Sequence, residues 1–370
     1  MKRKRIAIAC GGTGGHIYPG LTIGSKLQQY GLELFFMGSS SRMEKDAIPA
    51  AGFDFIGLPV QQINKKNPVA TVANWGKCML AARAELKRRQ PAALVGLGSY
   101  ITVPAILAAR QLGIPVFLIE TNVVPGKANR ALGRLAQWVA LAYAETAAAF
   151  GRTPTHVTGS PVRPEFGSWT RQAGAEAFGL DPQQGVLSII GGSQGAKAIN
   201  DAVVAALPQL LAHESLQIVH VCGASNHDQI RAQTTSYTGH PRYRLLHYVD
   251  NMPALLATTD LAISRAGAST IAELMVCRVP PILVPGRFGG GHQLENAQAV
   301  AQAGAGILLP EAQLQAEALS GLVSDVISDT ERLNQMRQNC SHLNTSDAAD
   351  KIAHLILNSL KMTKKEALSC

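Results

Sequence analysis

Three clusters of glycine, hydroxyl and charged residues, each directly behind an apolar run, are where the chemistry of this chain concentrates: Gly11-Gly-Thr-Gly-Gly-His16, Gly191-Gly-Ser-Gln-Gly195, and Ser264-Arg-Ala-Gly-Ala-Ser-Thr-Ile-Ala-Glu273. Glycine lets backbone N–H groups close on an anion, and a helix starting there favours negative charge, so phosphate or pyrophosphate is the natural guest. In the third cluster Gly267 to Thr270 offer amides and hydroxyls. Glu273, about one turn into a helix, can grip a vicinal diol such as a ribose, and a nucleotide diphosphate satisfies both. A plain first-turn carboxylate, worth ~0.3–1 kcal/mol against the helix dipole, is the alternative for Glu273.

Two familiar phosphate motifs fail. G-x-G-x-x-G needs glycine at Ile17 and an acid where Phe36-Met37-Gly38 stands, and a P-loop ending at Gly20 needs lysine at Leu21. The second cluster also matches the G-x-S-x-G nucleophile elbow, with Ser193 as nucleophile and Asp260 and His292 as loose partners. That hydrolase alternative leaves the first glycine turn and the doubled architecture unexplained.

These turns need strands before them and helices after them. Short β-branched or aromatic runs at Arg5–Cys10, Leu32–Gly38, Phe53–Leu58, Ala93–Gly96, Pro115–Glu120 and Thr155–Thr158 predict strands. Helical patterns at Ile17–Tyr30, Val69–Arg89, Ile101–Leu112 and Gly126–Leu135 alternate with them. The rhythm returns with strands at Gly185–Ile190, Gln217–Cys222, Tyr243–His247, Leu261–Ser264 and Pro281–Pro285. Helices are expected near Lys197–Leu211, Ser269–Val276, Gln293–Ala303 and Gln313–Ile327. The expectation is two α/β domains with parallel sheets. Residues 1–163 form the first and 164–344 the second, with a hinge where Gly159, Pro161 and Pro164 cluster, and 345–370 supply a last helix that packs back on the first domain.

A chain of 370 residues, 46% hydrophobic and 16% charged, is long enough for two cores and does not describe a disordered chain. Six scattered cysteines without a C-x-x-C pair suggest neither a zinc cage nor a disulfide framework, and fit a reducing cytosol. Lys2 to Arg5 resemble a signal-peptide start, but the apolar run behind them is too short. The uncharged stretch from Gln90 to Ala109 holds Pro91, Gly96, Gly98 and Pro104, so a strand, turn and helix explain it better than a membrane span. Residues 1–163 carry 20 Lys and Arg against 7 Asp and Glu, a net +13, whereas the remainder has 14 against 18, a net −4. The first half must therefore meet something anionic: nucleic acid, a bilayer surface or a phosphate-rich ligand.

Taken together, the stretches GGTGGHIYPGL (Gly11–Leu21), GSPVRP (Gly159–Pro164), GGSQGA (Gly191–Ala196), YVDNM (Tyr248–Met252), SRAGASTIAEL (Ser264–Leu274) and HQLENA (His292–Ala297) make the chain resemble the MurG family. The resemblance implies a GT-B fold, two Rossmann-like domains facing each other across a cleft. It further implies transfer of N-acetylglucosamine from UDP-GlcNAc to the 4-hydroxyl of the muramoyl sugar of lipid I, giving lipid II with inversion. No cofactor and no metal are implied, and the sequence holds no D-x-D pair to carry a cation against the diphosphate. His16 is then the candidate general base, a role suited to an imidazole whose pKa lies near operating pH. Thr13, Gly14 and Gly15 lie at the sugar and phosphate edge and Arg163 reaches the nucleotide. Ser193 takes the diphosphate and Val249 the uracil. Ala268, Ser269, Thr270, Ile271, Ala272 and Glu273 serve phosphate and ribose, while Asn122 and Gln293 serve the donor sugar.

Several positions depart from the family pattern. Its H-E-Q-N is Ile119-Glu120-Thr121-Asn122, its G-G-Y is Gly98-Ser99-Tyr100, and His292 stands where a second glutamine is usual. A lipid-linked acceptor implies peripheral work on the cytoplasmic face of the inner membrane, on an anionic surface, with cell-wall synthesis proteins as possible partners and no nucleic acid. The helix expected over 69–89 carries Val69, Val72, Trp75, Met79, Ala82 and Leu86 as one stripe, flanked by Lys65, Lys66, Lys77, Arg83 and Lys87 to Arg89. Such a helix suits docking on lipid or packing on the sheet. Another GT-B transferase, a UDP-sugar epimerase and a non-catalytic nucleotide-binding scaffold remain as alternatives.

Overall fold

The structure is a computed structural model that describes residues 4–61, 68–192, 195–286, 291–343 and 345–362, with the backbone alone for 68–72. Ser193, Lys65 and Lys66, and the side chains of Val69 and Val72, fall outside the described residues. The chain divides into two compact units, residues 1–163 with 345–370, and residues 164–344.

In the first unit the elements run β1 (Arg5–Ala9), α1 (Gly14–Gln29), β2 (Glu33–Ser39), α2 (Glu44–Ala50), β3 (Asp54–Leu58), α3 (Pro68–Arg89), β4 (Ala93–Gly96), α4 (Val103–Gln111), β5 (Val116–Glu120), α5 (Lys127–Leu132), β6 (Trp138–Leu141) and β7 (Thr155–Val157). All strand pairs are parallel, in the order β3-β2-β1-β4-β5-β6-β7. Side chains alternate across the sheet. Ile6 and Ile8 pack with Ile17, Ile23 and Leu27 of α1, while Ala7 and Ala9 pack with Ala82 and Leu86 of α3 and Ile106 of α4.

The second unit runs α6 (Arg171–Phe178), β8 (Gly185–Ile190), α7 (Lys197–Leu211), β9 (Leu216–Val221), α8 (His227–Gln233), β10 (Tyr243–Leu246), α9 (Met252–Thr258), β11 (Leu261–Ser264), α10 (Ala268–Val276), β12 (Pro281–Leu283), α11 (His292–Gln302), β13 (Ile307–Leu308), α12 (Ala316–Ile327) and α13 (Thr330–His342). Its parallel sheet has the order β10-β9-β8-β11-β12-β13. The last helix, α14 (Ala348–Ser359), buries Ile352, Ala353, Ile356 and Leu357 in the core of the first unit, beside α1. Tyr30 Oη sits 3.0 Å from His354 Nε2, and Trp138 Nε1 donates to Ser359 Oγ at 2.9 Å.

In each sheet the strand order reverses beside the first strand, between β1 and β4 and between β8 and β11. In open parallel sheets ligands bind at such a switch, beyond the carboxyl ends of the strands. The glycine turns follow β1 and β8, Gly98-Ser99-Tyr100 follows β4, and the Ser264–Glu273 cluster spans the end of β11 and α10.

Several details differ from expectation. Helix α1 starts at Gly14 rather than Ile17, because His16 N and Ile17 N both bond to Thr13 O, at 3.1 and 3.2 Å. Two glycines in a first turn are poor formers, so propensity places the start too late. The strands β6 and β13 and the helices α2, α6, α8, α9 and α13 were not expected: the strands and most of these helices are short, and α2 and α9 contain Pro49 and Pro253. The apolar stripe of α3 faces inward from Trp75 onward. Ala82 and Leu86 are fully buried and Trp75 and Met79 pack against the same core, so the outward face carries Lys77, Leu80, Arg83 and Lys87.

Candidate functional site

In the first unit, Gly11 and Gly12 take φ of +152° and +92°, and Thr13 caps α1 in extended conformation. His16 is therefore the third residue of the helix, half-buried, with Nδ1 3.2 Å from Thr13 Oγ1. A Cβ on Gly12 would touch Ser99 Oγ at 3.4 Å, so the turn behind β4 lies against the turn behind β1. Ser99, where the family pattern has glycine, keeps the left-handed backbone with φ +71°, and its Oγ accepts from Ile101 N at 3.2 Å.

Not every amide of the first turn faces a ligand, which corrects the reading of this turn as an open phosphate cradle. Gly12 N donates to Glu44 Oε2 at 3.2 Å, and Glu44 is fully buried. Burial, and secondarily the Glu44 charge, push the neighbouring Cys10 thiol far up, so it is no nucleophile.

Asn122 is held by Glu120. One carboxylate oxygen accepts from both Asn122 N and Asn122 Nδ2 at 3.0 Å, and the other from Gly126 N at 2.9 Å and Asn129 Nδ2 at 3.0 Å. Glu120 is 3% exposed, and sequence reasoning quoted it without assigning it a place; the motif position was the available signal. Ile119, where the family pattern has histidine, is 2% exposed and part of the core. The Arg163 guanidinium lies 5.0 Å over the Tyr18 ring of α1. A cavity of about 560 Å³ lined by Arg5, Glu33, Asp54, Arg88 and Arg89 opens at the opposite, N-terminal edge of the sheet, away from these turns.

In the second unit, a Cβ on Gly191 would lie 2.6 Å from Ala196 N, and one on Gly195, at φ +73°, would overlap Cys222 O. Only glycine fits. Behind them Asn200, fully buried, donates from Nδ2 to Cys222 O at 2.9 Å, while Oδ1 accepts from His220 Nε2 at 3.1 Å. His220 Nδ1 then accepts from Tyr243 Oη at 3.0 Å, and burial lowers the His220 pKa to about 4, so it is neutral at pH 7.

Ala268, Ser269, Thr270 and Glu273 are half-exposed along the first two turns of α10. Ile271 and Ala272 are turned into the core, and Ile271 N is spent on Gly267 O at 2.9 Å, so neither side chain serves a ligand. Val249 is buried behind β10, with Tyr248 beside it 46% exposed. Gln293, the second residue of α11, accepts from Gly286 N at 2.8 Å through Oε1, which leaves its amide NH2 as the end that can meet a sugar hydroxyl. Asn296, unassigned from sequence, is fully buried and donates to Ala266 O at 3.3 Å. Arg265 pairs with Glu311.

The nucleophile elbow is excluded by Asp260. Its carboxylate accepts from Val186 N at 2.8 Å and pairs with Arg171 and Arg337 at the start of β8 and β11. Gly191 and Gly192 follow the far end of β8, roughly 16 Å from Val186 at ~3.3 Å per residue, so Asp260 is committed at the opposite end of the strand from that turn.

Residues 6–141 match the glycosyltransferase family 28 N-terminal domain and residues 186–353 its C-terminal domain. The chain is 35% identical over 365 residues to the UDP-N-acetylglucosamine–N-acetylmuramyl-(pentapeptide) pyrophosphoryl-undecaprenol N-acetylglucosamine transferase of Desulfitobacterium hafniense (strain DSM 10664 / DCB-2), covering 96% of this chain and 99% of that one. It is 37% identical over 363 residues to the protein of the same name from Acidothermus cellulolyticus, covering 95% and 96%. Among solved structures, Acinetobacter baumannii MurG superposes with a TM-score of 0.77 at 27% identity, covering 96% and 99%. A putative UDP-N-acetylglucosamine 2-epimerase from Listeria monocytogenes gives 0.76 at 13% identity, covering 98% of each, a likeness of fold alone.

Proposed function

Since the chain belongs to glycosyltransferase family 28, we infer that it transfers N-acetylglucosamine from UDP-GlcNAc to the 4-hydroxyl of the muramoyl sugar of lipid I, forming lipid II for peptidoglycan synthesis. The observation that carries this is likeness at 35% identity across 96% of the chain to transferases named for that reaction. In the reaction the 4-hydroxyl oxygen bonds to the anomeric carbon as the bond to UDP breaks, which inverts that centre, and the hydroxyl proton passes to a base.

His16 is the base. In the tautomer whose Nδ1–H donates to Thr13 Oγ1, 3.2 Å away, Nε2 is the nitrogen that takes the proton. The second unit holds the donor. Amides and hydroxyls of Ala268 to Thr270 at the start of α10, together with Ser193, steady the diphosphate as charge moves onto it, in place of a divalent cation. Glu273 binds the ribose, Val249 the uracil through its backbone and Gln293 the donor sugar. Arg163 reaches the nucleotide, Thr13, Gly14 and Gly15 lie at the sugar and phosphate edge, and Asn122 serves the donor sugar beside Gln293. Stacking on Tyr18 pre-sets the Arg163 guanidinium, which supports its role.

The acceptor's lipid tail places the enzyme on the cytoplasmic face of the inner membrane as a peripheral protein. Among the described residues no helix is long and apolar enough to cross a membrane. The outward face of α3, Leu80 at 65% exposure among Lys77, Arg83 and Lys87, suits an anionic surface. The function is tested by incubating the protein with UDP-GlcNAc and a lipid I analogue in the presence of EDTA: the lipid fraction gains one N-acetylhexosamine per acceptor. A lipid fraction of unchanged mass refutes it.

A further inference from the structure

The first glycine turn is folded around a carboxylate from another element. Glu44, the first residue of α2, has no exposed surface, and its two oxygens accept from backbone amides, Oε1 from Ser39 N at 3.0 Å and Oε2 from Gly12 N at 3.2 Å. Space for it is made by glycine: a Cβ on Gly11 would overlap Glu44 Oε1, and one on Gly38 would lie 2.8 Å from both Glu44 Cγ and Cys10 O. Gly12 at φ +92° is the last residue before Thr13, which caps α1 and contacts His16 Nδ1. A buried carboxylate that finds its partners in two backbone amides pins those amides strongly, since a charged acceptor makes the stronger hydrogen bond. The second unit has no counterpart among its described residues, where Gly195 rests on the Cys222 carbonyl instead.

We propose that Glu44 is a positioning residue for catalysis: by clamping the Gly12 amide it fixes the turn that aims His16. This rests on the transferase reading with His16 as base. Two consequences follow. Loss of the clamp impairs turnover far more than donor binding, most of whose contacts belong to the second unit. It also loosens the Gly12 amide whether or not the enzyme is turning over.

The full-length protein is compared with its Glu44→Gln and Gly11→Ala variants. The first puts an NH2 group or a neutral oxygen where the carboxylate met the amides, and the second pushes the carboxylate out from the other side. Amide exchange of the segment 10–17 is read by mass spectrometry, and kcat and the KM for UDP-GlcNAc are read with a lipid I analogue. In both variants exchange at Gly12 rises about tenfold or more. The value of kcat falls on the order of 10–100-fold, the scale of a small displacement of a reacting group, while the KM for UDP-GlcNAc stays within about twofold. Unchanged exchange in both variants overturns the clamp. Faster exchange with kcat retained overturns its catalytic role, and a rise in the KM for UDP-GlcNAc matching the loss of kcat overturns the separation from donor binding. Failure of the transferase reading looks different: the unaltered protein then releases no UDP on adding acceptor, while the exchange measurement still decides the clamp.

Discussion

At the scale of single residues, the account depends on one imidazole at a fixed place in one helix. Replacing His16 with alanine removes the base and leaves the donor-binding turns of the second unit untouched. Turnover falls by about 100-fold or more, while UDP affinity measured by calorimetry is retained. A His16→Ala enzyme of near-normal kcat strips the residue of its role. The obligatory glycines were legible in the sequence because their physical demands are local: a glycine beside a strand end announces a positive φ or a close approach. Glu44, Glu120, Asn200 and Asn296 were not, because an isolated acid or amide reads as solvated surface until the fold supplies its partners. Glu44 meets Gly12 across 32 residues of sequence, and Asn296 meets Ala266 across 30. Ile271 and Ala272 erred the other way: they share a motif with Glu273, but a helix turns successive residues by about 100°, and these two face the core.

At the scale of elements, long runs with clear periodicity, such as α3, α7 and the first strand of each sheet, were read within a residue or two. The short α2 and β6 escaped, since seven and four residues give too few turns of a pattern. The strands β9 and β10 and the helix α7 are joined by the buried chain of Tyr243, His220, Asn200 and the Cys222 carbonyl, and this chain carries a pH dependence. Burial lowers the His220 pKa from 6.5 to about 4, so between these values the unfolded chain binds a proton that the folded one refuses. The His220 contribution to stability is therefore fully present above pH 6.5 and is lost as pH falls toward 4, by up to ~1.4 kcal/mol per pH unit. Denaturant titrations across that window will show a shallower decline for His220→Gln than for the unaltered protein. Equal slopes mean that His220 is not the group responsible.

At the scale of the whole molecule, fold and chemistry separate. The same architecture accommodates a putative UDP-N-acetylglucosamine 2-epimerase with a TM-score of 0.76 at 13% identity, so architecture alone does not choose transfer over epimerisation; the near-full-length likeness to named transferases does. The net +13 of residues 1–163 fits a surface that meets anionic lipid, and the fold refines which charges matter. Arg88 and Arg89 both pair with Glu85, and Arg89 also with Asp54, whereas Lys77, Arg83 and Lys87 stand on the outward face of α3. Reversing these last three charges weakens binding to anionic vesicles by roughly 100-fold or more at low salt, from ~1 kcal/mol per basic residue, and the difference shrinks as salt rises. Co-sedimentation that is unaltered by the reversal removes α3 as the membrane contact. The central claim is met most directly by the rate of UDP release from UDP-GlcNAc, measured with and without a lipid I analogue under one set of conditions. The account predicts slow release from the donor alone and release that rises and saturates with acceptor. UDP appearing at the same rate without acceptor, or no UDP in either case, contradicts it.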